Sequence, residues 1–314
     1  MDIEYLLFLQ RWREGSGAAL IPFFEELSLF AVTYLVLIPV FIYWVLNKKK
    51  GLYVLASYYL CCAVNAVVKL TACIYRPWIR SPEIMPAGDA ITTATGYSFP
   101  SGHTVTAGPI YGGTALVSWK KSKVVSVICI ILMLLTGFSR NFLGVHTPQD
   151  VAVGLLETAI WLFVMSKIFA YLGEHLEKEN LFLILSFVIG WICIIYITFK
   201  PYPMTYVDGK LLVDPQKMMN DGYGDLALMI AFPVARFIER NWIRFEAVGC
   251  KGLGLIMGLV GEVPLFFMIK FMRPQLDALL GSHWGHFMNN FILVMYCIAV
   301  YPLVLKLVTG KKEA

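Results

Sequence analysis

The chain has 314 residues, of which 58% are hydrophobic and 15% charged, with a net charge of +5 and a mean hydropathy of +0.68. Soluble domains carry about 25% charge, so an ordinary soluble globular enzyme is excluded. The small positive excess gives no footing to a nucleic-acid partner, and a side bias of lysine and arginine accounts for it better.

In chain order, Met1 to Glu4 carry no basic region, so no cleavable signal peptide is expected. In residues 1–26, Ile3, Leu6, Leu7 and Leu9 alternate with Arg11, Arg13 and Glu14, which predicts an amphipathic helix lying in the outer interface. A bilayer span needs roughly 20 apolar residues. About nine such stretches follow, near 27–46, 52–74, 102–119, 124–140, 149–172, 181–199, 225–241, 252–271 and 287–306. The segment 225–241 is the weakest, because it ends in charge. The expected fold class is therefore all-α, a polytopic membrane helical bundle.

With the loop after the first span set inside, 15 of the 26 lysines and arginines fall inside, among them Lys48–Lys50, Arg236, Arg240, Lys311 and Lys312. Three of the other 11 belong to the motifs below. The bias predicts an outside N-terminus and a cytoplasmic C-terminus, in an integral protein expected in a bacterial plasma membrane. The outer loops near 75–100 and 200–224 are long and rich in Pro, Gly and Tyr, as functional loops often are. Six of the seven cysteines lie in or at the ends of apolar runs without a CxxC pair, and read as small buried hydrophobes.

Three clusters sit at outer span ends. Lys69 and Arg76 are seven residues apart, two helical turns, so they share a face, and Pro77 then ends the helix. A lysine this deep either snorkels to the interface or serves a function. Pro100-Ser101-Gly102-His103 opens the third span. A helix start offers unpaired N–H groups to an oxyanion, Gly102 permits close approach, Ser101 adds a hydroxyl, and His103 can give a proton near neutral pH. Ser139-Arg140 ends the fourth span, His146 follows in a short turn, and Asp150 lies four residues later. A carboxylate there can fix the tautomer of the imidazole and free its other nitrogen to attack. A metal pair is the rival reading of His146 and Asp150, but no further His or Cys ligands accompany them. Together the groups suit a phosphate: arginine forks its oxygens, lysine adds a point charge, and both stabilise a five-coordinate transition state.

The order K-x6-RP, PSGH, SR-x5-H-x3-D resembles the type 2 phosphatidic acid phosphatase (PAP2) superfamily at every motif position, over residues 69–150. The resemblance implies that His146 is a nucleophile forming a phosphohistidine, that Asp150 orients it, and that His103 protonates the leaving alkoxide and later activates water. Lys69, Arg76, Ser101, Gly102 and Arg140 would hold the phosphoryl oxygens. No metal or other cofactor enters that scheme. Residues 27–175 would form the catalytic core. Residues 176–314 would add transmembrane helices that wall a lipid groove or make a homo-oligomer contact.

The implied activity is hydrolysis of a lipid phosphate ester or pyrophosphate at the outer face, where a site meets headgroups and membrane lipids first. Rivals are a phosphatase of a soluble sugar phosphate, a lipid phosphotransferase in which an alcohol replaces water, a non-enzymatic bundle, and vanadate-dependent halide oxidation. The intact His103, His146 and Asp150 speak against a non-enzymatic bundle. The membrane setting speaks against halide oxidation. Glu157 and Glu262, carboxylates inside spans, are either functional or paired to a structural partner such as Asn65. His283 and His286 read as interfacial beside Trp284. Gly254 and Gly258 read as helix-packing positions, and Trp78 and Arg80 as candidate headgroup contacts.

Overall fold

A computed structural model describes residues 1–15, 17–94, 96–207 and 209–310. Lys311 and Lys312, counted above on the inner side, lie outside the described residues. The architecture is all-α, apart from a small antiparallel pair, β1 (Tyr206–Val207) and β2 (Lys210–Leu211), in one loop.

The N-terminal helix α1 (Asp2–Glu14) is followed by α2 (Ile21–Thr33), the short α3 (Leu37–Phe41) and a π turn over Ile42–Leu46. The expected span at 27–46 is thus broken. Pro39 has no N–H to return to the Leu35 carbonyl, so a continuous helix is not sustained there. Helix α4 (Lys48–Ala72) starts where the Asn47 side chain accepts from Lys50 N at 2.9 Å, and stops at Cys73, whose φ of +49° is left-handed. Two short helices, α5 (Pro77–Arg80) and α6 (Ala90–Thr93), lie in the loop before α7 (Gly102–Ser118). Then come α8 (Lys123–Phe142), α9 (Pro148–Glu174), α10 (Glu179–Phe199), α11 (Pro215–Ile238) and α12 (Leu253–Leu280). Helices α13 (Ser282–Met295) and α14 (Tyr301–Thr309) close the chain, joined by a π turn.

Among the described residues, six helices are apolar enough by length and composition to cross a membrane, and a seventh is added only if α1 and Ala18–Thr33 are taken as one bent span. The six match the expectations near 52–74, 124–140, 149–172, 181–199, 252–271 and 287–306. The other three expected stretches are the broken 27–46, the 17-residue α7, and α11. Both α7 and α11 lie inside the bundle, so neither needs a continuous lipid-facing surface. A Cβ on Gly108 of α7 would stand 2.4 Å from Thr158 Oγ1, and one on Gly112 2.8 Å from Leu162 Cδ1, so the close α7–α9 packing depends on small residues.

One large apolar cluster joins the two halves of the chain: Tyr43, Trp44 and Tyr59 pack with Phe232, Ile298 and Leu305. Buried ion pairs join them again at the start of α4. Lys48 Nζ lies 2.9 Å from Glu239 Oε1, Arg236 bonds both Glu239 and Glu179, and Arg240 lies 3.2 Å from Glu179. At the far end of α4, α1 is tied down through Arg13, which is 4% exposed. Its guanidinium donates to Phe142 O at 2.6 Å and to Met85 O at 2.5 Å. Helix α1 therefore braces the loop that leads to the site.

Candidate active site

Each motif side chain is delivered by a helix end. Lys69 sits in the last turn of α4, and the left-handed turn at Cys73 then carries the chain back to Arg76. Pro77 starts α5 in the first-turn position, where its missing N–H costs nothing. Ser98 N donates to Ile74 O at 2.7 Å, which holds the incoming strand against this turn. Ser101 N donates to Asp150 O at 3.0 Å, joining the start of α7 to the start of α9. Arg140 is in the last turn of α8. Its carbonyl accepts from Val145 N and His146 N at 3.1 and 3.2 Å, while Gly144 takes the positive φ of +76° that the tight turn needs. Thr147 and Asp150 then form a reciprocal capping box that starts α9.

Asp150 Oδ2 is a hub. Ser98 Oγ donates to it at 2.6 Å, Thr147 N at 2.8 Å, and His146 Nδ1 lies 3.3 Å away. Asn141 Nδ2 holds the His146 carbonyl at 2.9 Å. On the other side of the ring, Arg76 Nη1 approaches Nε2 at 2.8 Å while also donating to Val145 O at 3.0 Å, and Arg76 Nε donates to Gly96 O at 3.1 Å. His146 is 1% exposed. Burial, and after it the charges of Arg76, Lys69 and Arg140, hold its pKa well below the usual histidine value. The ring is therefore neutral at neutral pH, with a lone pair available.

Lys69, Arg76, Gly102, His103 and His146 line one cavity of about 610 Å³. Lys69 Nζ donates to Pro100 O at 2.5 Å. A Cβ on Gly102 would have Lys69 Nζ and Asn65 Oδ1 as its nearest neighbours at 4.0 Å, so the glycine leaves open space beside the lysine. Arg140 and Ser101 do not line this cavity. Both are 0% exposed and sit behind it. Arg140 Nη1 donates to Ser28 Oγ at 2.8 Å, while its Nε and Nη2 have no partner among the described residues, and neither has His103 Nε2. Unpaired buried guanidinium nitrogens are costly, and an anion between them and the cavity would satisfy them. Among the described residues, no group of three or more His, Cys, Asp or Glu side chains is placed to hold a metal ion.

Other singled-out residues fall differently. Arg80 pairs with Asp2 at 2.8 Å, and Trp78 stacks beneath the Arg76 guanidinium at 5.8 Å; neither lines the cavity. Glu157 Oε1 and both Glu262 oxygens are buried without a partner among the described residues. Gly258 packs α12 against Val45 and Phe41, whereas Gly254 packs on the Val248–Gly249 backbone. The interfacial reading of His286 gives way to another: it lines the cavity and bonds Asp277 Oδ1 at 3.2 Å. His283 faces the Tyr223 ring, and Trp284 packs on Tyr223 and Phe287.

Sequence reasoning missed Ser98, Asn141 and the part of the cavity wall built by α11 and α13. No spacing rule reaches Ser98, which precedes the helix and touches Asp150 only across the fold.

The PAP2 superfamily model matches residues 50–174. Phosphatidylglycerophosphatase B of Bacillus subtilis (strain 168) is 32% identical over 101 residues, 30% of this chain and 48% of that protein. Lipid A 1-phosphatase of Rhizobium johnstonii (strain DSM 114642 / LMG 32736 / 3841) is 34% identical over 76 residues, 24% of this chain and 30% of that protein. The chain thus spans about half, or less, of the length of the curated relatives it matches. No solved structure matches it significantly. The matched residues 50–174 contain every motif cation and imidazole described above, so the site lies wholly within the part of the chain that is similar to the PAP2 superfamily.

Proposed function

We propose that this protein is a membrane phosphatase that hydrolyses a lipid phosphate ester through a phosphohistidine on His146, without a metal, at the outer face of the bilayer. One observation carries the reading: the imidazole of His146 is held between a carboxylate and a guanidinium, at a cavity it shares with Lys69, Gly102 and His103. Asp150 accepts the hydrogen bond of the Nδ1–H and keeps the proton on that nitrogen, so the Nε2 lone pair is the nucleophile. The incoming phosphate takes over the Arg76 N–H that Nε2 now accepts. Lys69, Arg76, Arg140, the Ser101 hydroxyl and the N–H groups opening α7 gather the phosphoryl oxygens. Nε2 bonds to phosphorus as the ester P–O bond breaks, and His103 gives the leaving oxygen its proton. Water then attacks phosphorus, its proton passes to His103, the P–N bond breaks, and inorganic phosphate leaves.

A lipid substrate is supported by the apolar side of the same cavity. It runs to Leu29 and Val32 on α2 and to Leu265 and Ile269 on α12, and Leu29 is 43% exposed on the bundle surface. The outer location is supported by charge and length. Lys48, Arg236 and Arg240 gather where α4 begins, and Lys69 lies 21 residues further on, roughly 30 Å along the helix and about one hydrocarbon thickness. In this reading the chain crosses nine times, with the broken α2–α3 segment, α7 and α11 completing the six apolar helices, and its N-terminus is outside.

The test is a panel assay of the purified protein in EDTA with phosphatidic acid, isoprenoid pyrophosphate, sphingoid phosphate and glucose 6-phosphate. It is joined to rapid quenching with labelled phosphate. Lipid esters are expected to turn over, with acid-labile label trapped on His146. Turnover confined to glucose 6-phosphate overturns the lipid assignment, and turnover with no trapped label at any time overturns the covalent step.

A further inference from the structure

The cavity wall contributed by α11 and α13 carries the carboxylates of Asp221 and Asp225 and an amide oxygen in want of a donor. Asn290 Nδ2 donates to Gly224 O at 2.9 Å. A carbonyl can only accept, so this contact fixes which end of the Asn290 amide is nitrogen. Asn290 Oδ1 therefore accepts from Asn289 Nδ2, at 3.0 Å. That leaves Asn289 Oδ1 without a partner among the described residues, although Asn289 is 6% exposed and lines the cavity. Asp225, one turn from Gly222 on α11, lines the same cavity; its carboxylate makes no hydrogen bond among the described residues and has Lys69 as its attractive charge. Asp221 stands one turn earlier, 57% exposed and 3.9 Å from His286 Nε2. A buried amide oxygen left unsatisfied is destabilising, and a ligand donor would satisfy it.

Resting on the phosphatase reading above, we propose that this wall is a headgroup subsite selecting phosphate esters whose alcohol portion carries hydrogen-bond donors, as hydroxyl or ammonium groups, near the ester oxygen. Lys69, Arg76 and Arg140 take the phosphate. Asp225 and Asn289 Oδ1 take the donors, and the apolar side toward α2 and α12 takes the chain. A second phosphate set against this wall would face the carboxylates of Asp221 and Asp225, with Arg273 and His286 elsewhere on the lining. A bare alkyl phosphate would leave Asn289 Oδ1 unpaired. Both are disfavoured, since a site built for a donor rejects an analogue that lacks it more strongly than a merely apolar pocket could.

The experiment compares kcat/KM of the purified full chain in detergent for four esters. They are a 2-amino-3-hydroxyalkyl phosphate, a lipid-linked glycosyl phosphate, an alkyl phosphate of matched length, and a soluble hexose phosphate. At least one donor-bearing ester should exceed the alkyl phosphate by about tenfold or more. The ammonium, lipid-linked hydroxyl and soluble hydroxyl sources are told apart by which ester leads. Asp225→Asn should shrink the ratio most for the ammonium ester, and Asn289→Ala, on a different helix, should shrink it for any leading ester. Equal or higher values for the alkyl phosphate overturn the subsite while leaving the phosphatase standing, and the wild-type ratio decides this without any variant. A loss in Asp225→Asn that is the same for every ester would make Asp225 a counter-ion of Lys69 alone, and also overturns the proposal. Absence of turnover on all four and on the wider panel overturns both readings together.

Discussion

Arg76 Nη1 lies 2.8 Å from His146 Nε2. A guanidinium has hydrogens to give and no lone pair to receive them, so the contact requires an unprotonated Nε2 and leaves the ring proton on Nδ1, toward Asp150. The tautomer needed for attack through Nε2 is thereby set by two neighbours at once, one on each nitrogen.

Replacing the proposed nucleophile should be decisive. His146→Ala is expected to lower phosphate release by at least about 10⁴-fold, the scale seen when a covalent nucleophile is removed. Arg76 keeps its bonds to Val145 O and Gly96 O, so the variant should still elute as a monodisperse species in detergent. Phosphate release within tenfold of wild type would falsify the assignment.

Asp150→Asn should cost about 10³–10⁴-fold in kcat, because an amide can no longer impose the Nδ1–H tautomer with a full charge. Its oxygen can still cap Thr147 N, so the loss of stability should stay near or below about 1 kcal/mol. Steady-state kinetics alongside thermal unfolding separate the two effects, and unchanged kinetics would remove Asp150 from the site.

Ser98→Ala tests a residue invisible to motif reading. Its hydroxyl donates to Asp150 Oδ2 at 2.6 Å. A hydrogen bond to a charged group is worth about 1.5–3 kcal/mol, so a roughly 10–100-fold loss in kcat is expected if Ser98 positions the carboxylate. KM should move little. A change in KM alone would assign Ser98 to substrate binding.

Gly102→Ala probes the oxyanion space. The new methyl meets nothing closer than 4.0 Å, so the melting temperature should hold. Inorganic phosphate should inhibit about tenfold more weakly, since the methyl occupies room beside Lys69. Undiminished inhibition by phosphate would place the anion elsewhere.

The depressed pKa of His146 has a consequence for stability. Its folded value lies well below the ordinary value of about 6.5. Below that pH the unfolded chain binds a proton that the folded chain refuses. The contribution is therefore fully present above about pH 6.5 and is lost as the pH falls, by up to about 1.4 kcal/mol per pH unit. His146→Gln should flatten the decline in melting temperature between about pH 7.5 and 5 relative to wild type. Parallel curves for the two proteins would mean that His146 titrates normally.

Thr147 and Asp150 were legible as a pair because they cap α9 within a single turn. The expected shared helical face of Lys69 and Arg76 is not what joins them: α4 ends at Ala72, the left-handed Cys73 turns the chain, Arg76 precedes α5, and Pro77 opens α5 rather than closing α4. The span count was less legible. Interior helices such as α7 and α11 meet protein on most sides, so α7 can be short, at 17 residues, and rich in glycine, while α11 carries Asp221 and Asp225. Arg140 shows a further limit, since nothing in its spacing tells that it stands behind the cavity, bonded to Ser28 of α2.

By itself the sequence determined the helical membrane class, because burial period, caps and charge bias act within a few turns, and it carried the order of motif residues on which the family resemblance rests. Only the tertiary structure decided that Ser98 reaches Asp150, that Arg76 holds His146 Nε2, and that Asp225 and Asn289 wall the same cavity as Lys69. Those relationships join residues as far apart as Lys69 and Asn289, 220 positions along the chain. They follow from how helices pack around one another, which no local pattern encodes.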